Sequence, residues 1–154
     1  MFNLDSALGI EVSEQRMILV SVQKGFQDFR LKNRLVIDHY RDLPRAELMG
    51  RIQQFVRQNG FNRENVILGL PRNQVVVREV ELPLEVEENL DQVVHSQVDK
   101  FEPGEEASSY YDYGVASRDE ENRRILLQVV MVPKVLIDDL LELFEELDLY
   151  PAAI

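Results

Sequence analysis

The chain has 154 residues, 45% of them apolar and 29% charged, which suits one ordinary folded domain or two small subdomains. It has no cysteine, which excludes disulfides and thiolate chemistry, and having only His39 and His95 argues against a histidine-built metal site or triad. A net charge of −11 argues against nucleic acid or an anionic membrane surface as partner, and no apolar run approaches the roughly 18 residues of a membrane span.

The N-terminus, MFNLDSALGIEV, has neither the basic region nor the apolar core of a signal peptide, so a cytoplasmic chain is expected. Three strands are predicted first, at 6–12, 16–23 and 29–40, joined by short turns into a meander. A helix follows over 45–59. Leu48, Met49, Ile52, Phe55 and Val56 fall at helical spacing, Asp42 and Pro44 stand before it, and Asn59-Gly60 ends it. The run VILGL at 66–70 is almost wholly apolar, which predicts a strand covered on both faces and parallel to an earlier one. A polar corner, Pro71 to Gln74, leads into a half-exposed strand at 75–81.

After Pro83 a helix is predicted, with Val86, Leu90, Val93, Val94, Gln97 and Phe101 along one face, ended by Pro103-Gly104. A strand at 108–116, a charged turn at 118–122, a strongly apolar strand at 125–132 and a helix over 134–147 complete the second half. Residues 148–154 start a further extended segment, and the expectation is an N-terminal portion of a longer protein. Charge divides the same way: 1–78 is balanced or basic, and 79–150 holds most of the carboxylates.

Few side chains suggest chemistry. The 8–14 stretch, LGIEVSE, has the outline of a phosphate-binding hairpin, although an ordinary hairpin is the commoner reading. Glu85, Glu87, Glu88 and Asp91 read as a solvated first helical turn favoured by the dipole, not as a metal cluster. Glu142, Glu145, Glu146 and Asp148 read as another solvated face. His95 is read as a partly buried packing or hydrogen-bonding residue, and Tyr110, Tyr111 and Tyr113 as cross-strand packing. Gln97, polar on an apolar face, marks either a polar contact in a groove or a buried amide bonded to backbone. No Walker loop, GxSxG, HExxH or paired catalytic acids occur.

Four stretches together carry a family resemblance: LGIEVSEQRMILVSV, VILGLPRNQVVVREVELP, VDKFEP and LLELFEELDLYPAAI. The sequence resembles the N-terminal half of the PilM proteins of type IV pilus assembly and the cytoplasmic part of GspL from type II secretion. Both are members of the actin-like ATPase superfamily, with FtsA a more distant cousin. The resemblance covers nearly all of residues 7–154. It implies an α/β (α+β) chain with a partial actin-like (ribonuclease H-like) subdomain at 1–74. An inserted strand–helix–strand–strand–helix subdomain would occupy 75–149, and 150–154 would return to the actin-like core.

The resemblance also implies a role: a cytoplasmic scaffold, peripheral at the inner membrane, that binds the N-terminal segment of a PilN-like or GspM-like protein beside an assembly ATPase platform. The implied groove between subdomains would be lined by Arg72, Asn73, Gln74, Gln97 and Phe101. Two further readings are an ATP-binding switch and an FtsA-like polymerising protein. ATP with Mg would then concern a longer chain, with no cofactor in this stretch. Family members that bind ATP resemble GIDIGSSSIK at the first hairpin. Here Glu11 stands at the aspartate position, Ser13 at the second glycine and Glu14 next, so Glu11, Ser13 and Gln15 form a degenerate phosphate hairpin.

Overall fold

The computed structural model describes residues 6–25, 28–60, 63–101 and 108–154. It divides into two units: the chain up to Pro71 together with Asp139–Ile154, and Arg72–Asp138.

The first unit holds β1 (Ser6–Val12), β2 (Arg16–Lys24), β3 (Phe29–Asp38), α1 (Arg45–Asn59), β4 (Val66–Gly69) and β8 (Pro151–Ala153), in a five-stranded sheet of order β3-β2-β1-β4-β8. The meander β1–β2–β3 is antiparallel, and β4 lies parallel to both β1 and β8. A parallel neighbour requires a crossover, and α1 supplies it. Leu8 N–H donates to the Asn65 carbonyl and the Asn65 side-chain amide donates to the Ser6 carbonyl, each at 3.0 Å, which fixes where β4 enters the sheet.

Alternation decides which face is buried. Leu8, Ile10, Val12, Met17, Leu19, Ile37, Val66 and Leu68 turn inward, as do Leu48, Ile52, Phe55 and Val56 of α1. The opposite face of this sheet carries Ala7, Gly9, Ile18, Val20, Val22 and Ile67, which are half-buried or exposed; Ile67 is 51% exposed. The expectation that VILGL is covered on both faces therefore fails at Ile67. The apolar run arises from a central position in the sheet, where side chains meet neighbours along the strand surface even on the uncovered side.

The second unit holds β5 (Val76–Pro83), a 3-10 segment (Leu84–Asn89), α2 (Leu90–Phe101), β6 (Ser109–Asp119) and β7 (Arg124–Pro133), with an antiparallel sheet of order β5-β7-β6. Its core joins Val80, Leu82, Ile125, Leu127, Val129 and Met131 of the sheet to Val94 and Val98 of α2. Tyr111 and Tyr113 pack against the same cluster, as cross-strand packing requires. Helix α3 (Lys134–Glu145) follows β7.

Several boundaries differ from expectation. Strand β3 stops at Asp38 because His39 adopts φ 51° and Tyr40–Asp42 forms a 3-10 turn. The residue capping α1 is Pro44, without a side-chain cap; Asp42 belongs to that 3-10 turn. The helix after Pro83 becomes α-helical only at Leu90. The division at Asp138/Asp139, against the expected 149/150, places the end of α3 in the first unit. There the Arg45 guanidinium bonds Glu146 at 2.5 Å, Arg63 bonds Asp148 at 2.7 Å, and the Tyr150 N–H donates to the Arg63 carbonyl at 3.1 Å. The expected end of the α2 region at Pro103-Gly104 lies outside the described residues.

Candidate partner-binding surface

Two sets of residues singled out by sequence lie in different units. In the first unit, Glu11, Ser13 and Gln15 belong to the β1–β2 hairpin. Its turn is closed by its own polar groups: Ser13 N–H donates to the Arg16 carbonyl at 2.9 Å, and Ser13 Oγ both donates to that carbonyl at 3.0 Å and accepts from Arg16 N–H at 3.1 Å. The Gln15 carbonyl accepts from His39 N–H at 2.5 Å. A phosphate cradle needs backbone N–H groups turned toward the anion. Here the Ser13 and Arg16 donors are used within the turn, and the exposed carboxylates of Glu11 and Glu14 flank it. Ser13 and Arg16 thus have no backbone donor left to turn toward an anion at this hairpin.

In the second unit, Arg72–Gln74 forms a 3-10 turn closed by Val75 N–H on the Arg72 carbonyl at 3.2 Å. Arg72 and Asn73 are exposed and Gln74 is half-buried, with its Oε1 buried and unpartnered among the described residues. The turn leads directly into β5. Cross-strand pairing sets Val76 opposite Met131, Val80 opposite Leu127 and Leu82 opposite Ile125, so the row facing α2 reads Val76, Arg78, Val80, Leu82. Val77 faces the other way, opposite Val130.

A cation thus stands in an apolar row, and Phe101 answers it. The Arg78 guanidinium lies over the Phe101 ring, 6.0 Å from its centre. Phe101 ends α2 and is 38% exposed, not buried on the inward face as its spacing implied; Val98 takes the inward position instead. Gln97, one turn before Phe101, is half-buried. The structure therefore brings Gln97 and Phe101 onto one stretch of α2 and adds Arg78. The available signal for Arg78 was the period-two row from Val76 to Leu82, read in the correct phase.

The remaining charged clusters are structural. Glu85 bonds Arg123 at 2.8 Å and Glu87 bonds Arg118 at 2.6 Å, which ties the 3-10 segment to the β6–β7 hairpin. A hydrogen bond from its own backbone N–H, followed by Arg123, holds the Glu85 carboxyl below its ordinary range. The Tyr113 hydroxyl donates to Asp91 at 2.5 Å, and that bond raises the phenol above its ordinary value. His95 is exposed rather than partly buried, and its Nδ1 lies 3.1 Å from the Tyr111 hydroxyl. Among the described residues no group of three or more His, Cys, Asp or Glu could hold a metal ion, and no helix is long and apolar enough to cross a membrane.

No family model matches the sequence, and no curated protein does. Solved structures match in fold. The PilM-PilN type IV pilus biogenesis complex superposes with a TM-score of 0.76 at 17% identity, over 97% of this chain and 46% of that chain. The cytoplasmic domain of EpsL, an inner membrane component of the type II secretion system of Vibrio cholerae, superposes at 0.64 with 11% identity, over 94% of this chain and 54% of that one. The chain thus spans about half the length of the structures it matches. Its fold is α+β, similar to that of the PilM-PilN complex and of the EpsL cytoplasmic domain.

Proposed function

We propose that this chain serves as a scaffold component of a type IV pilus inner-membrane platform, on its cytoplasmic side, and binds the N-terminal segment of a PilN-like protein. The observation that carries this reading is the fold match over 97% of the chain to a protein solved together with PilN. Within the second unit, the surface of Gln97, Phe101 and Arg78, with Arg72–Gln74 leading into the same end of β5, offers the means. An exposed aromatic ring supplies an apolar anchor, Arg78 and Gln97 supply polar contacts, and such mixed anchors are typical of binding hot spots.

Calorimetric titration with the N-terminal peptide of a PilN-like protein tests the reading. Saturable binding is expected, and Phe101→Ala should weaken it about tenfold, the effect of losing one anchor. Flat titrations with both PilN-like and GspM-like peptides would sink the proposal. Nucleotide has no part in this reading, because Ser13 and Arg16 use their backbone donors within the turn and Glu11 and Glu14 present carboxylates beside it. Titration with Mg-ATP should be flat, and saturable binding that Glu14→Ala strengthens would overturn that point.

A further inference from the structure

Among the described residues, strand β3 is the terminal strand of the five-stranded sheet and pairs only with β2. It is ten residues long and has no proline or glycine. Its outer half is exposed on both faces: Phe29 is 76% exposed and Leu31 63%, unusually large values for such side chains. In a chain of net charge −11 the same half carries Arg30, Lys32 and Arg34. Arg30 pairs with Asp28 at 3.2 Å; among the described residues, Lys32 and Arg34 form no ion pair.

Pairing sorts these side chains. Phe29 and Leu31 stand opposite Lys24 and Val22 on one face, and Arg30 stands opposite Gln23 on the other. Lys32 is the extra residue of a bulge, and with Gln23 and Asn33 it lines a small polar cleft on that second face. The free edge therefore shows Phe29 and Leu31 on one face, with Arg34 further along that face, and Arg30 and Lys32 on the other. Edge strands commonly carry cations to repel other edges. Two copies of β3 paired edge to edge would crowd the cations of one strand against those of the other. The exposed Phe29 and Leu31 are what such protection does not explain.

We propose that the β3 edge is a strand-addition site for an acidic, extended segment of a partner protein, one that alternates carboxylates with apolar residues. Backbone pairing would give affinity. Apolar residues would cover Phe29 and Leu31, and the carboxylates would face Arg30 and Lys32. This site is separate from the Phe101 surface and does not depend on the pilus reading.

The test is fluorescence polarisation on the whole chain with a labelled octapeptide that alternates glutamate with valine. Binding is expected to weaken as salt rises, and to fall about tenfold in the Arg30→Glu/Lys32→Glu variant, whose fold is checked by circular dichroism. Phe29→Ser/Leu31→Ser should weaken it comparably, while Phe101→Ala should leave it unchanged. A peptide alternating lysine with valine should not bind. The proposal is overturned if the glutamate peptide fails to bind or binds the charge-reversed variant equally well. It is also overturned if phosphatidylglycerol vesicles bind through these cations and the peptide does not, or if the only association through this edge is between copies of the chain.

Discussion

Gly60 ends α1 with φ 55° and donates its N–H to the Val56 carbonyl at 3.3 Å. A side chain is disfavoured in that left-handed conformation, so Gly60→Ala should cost about 1 kcal/mol and lower the melting temperature. Tyr113 makes a pH-dependent contribution. Its hydroxyl donates to Asp91, which raises the phenol pKa in the folded state. The contribution is full below the ordinary phenol range and is lost as pH rises through the raised value. Tyr113→Phe should therefore destabilise at neutral pH and flatten the alkaline limb of a stability-against-pH curve measured by urea unfolding. At this scale the sequence was only partly legible. Asn59-Gly60 could be read because a helix end needs a residue tolerant of positive φ. The period-two row could place Arg78 on the α2 side, but its contact with Phe101 could not be read, since it joins strand to helix. Ser13 closing its own turn also depends on geometry that spacing alone does not give.

Among the elements, α3 has the most informative ending. Phe144 is fully buried, and Leu140, Leu143 and Leu147 are buried with it. Phe144→Ala should cost about 3–5 kcal/mol by denaturant unfolding, the usual result of emptying a closed core site. Beside it, the Arg45 hydrogen bond holds the Glu146 carboxyl below its ordinary range. That contribution is present above the ordinary carboxylate pKa and disappears as pH falls through the depressed one. Arg45→Ala should therefore lower stability at pH 7 and make the acid limb shallower. Both groups are solvent-exposed, so the effect should be small and salt-sensitive. The order of the strands and of the α-helices was legible, because periods of 2 and 3.6 are strong in β1, β7, α1 and α3. The 3-10 start at Leu84–Asn89 was not. Its side chains suit an α-helix, and the ion pairs of Glu85 and Glu87 to the β6–β7 hairpin join residues more than thirty positions apart.

In the whole molecule each unit has its own buried core. Leu127 lies at the centre of the second, fully buried between the sheet and α2. Leu127→Ala should cost about 2–5 kcal/mol, and hydrogen exchange should quicken first across β5, β6 and β7 rather than across β1 and β2. The first unit ends at Pro71/Arg72, at the start of the polar corner that the sequence reading assigned to the first unit through Gln74. The return at Asp138/Asp139 was not legible, because it falls inside a continuous helical pattern. The uncovered side of the five-stranded sheet has a practical consequence. Ile18, Val20 and Ile67 offer an apolar surface while the core stays ordered. A dye such as anilinonaphthalene sulfonate should accordingly fluoresce with the native chain, with sharp near-ultraviolet dichroism retained, so its emission would mark this sheet rather than a loosened fold.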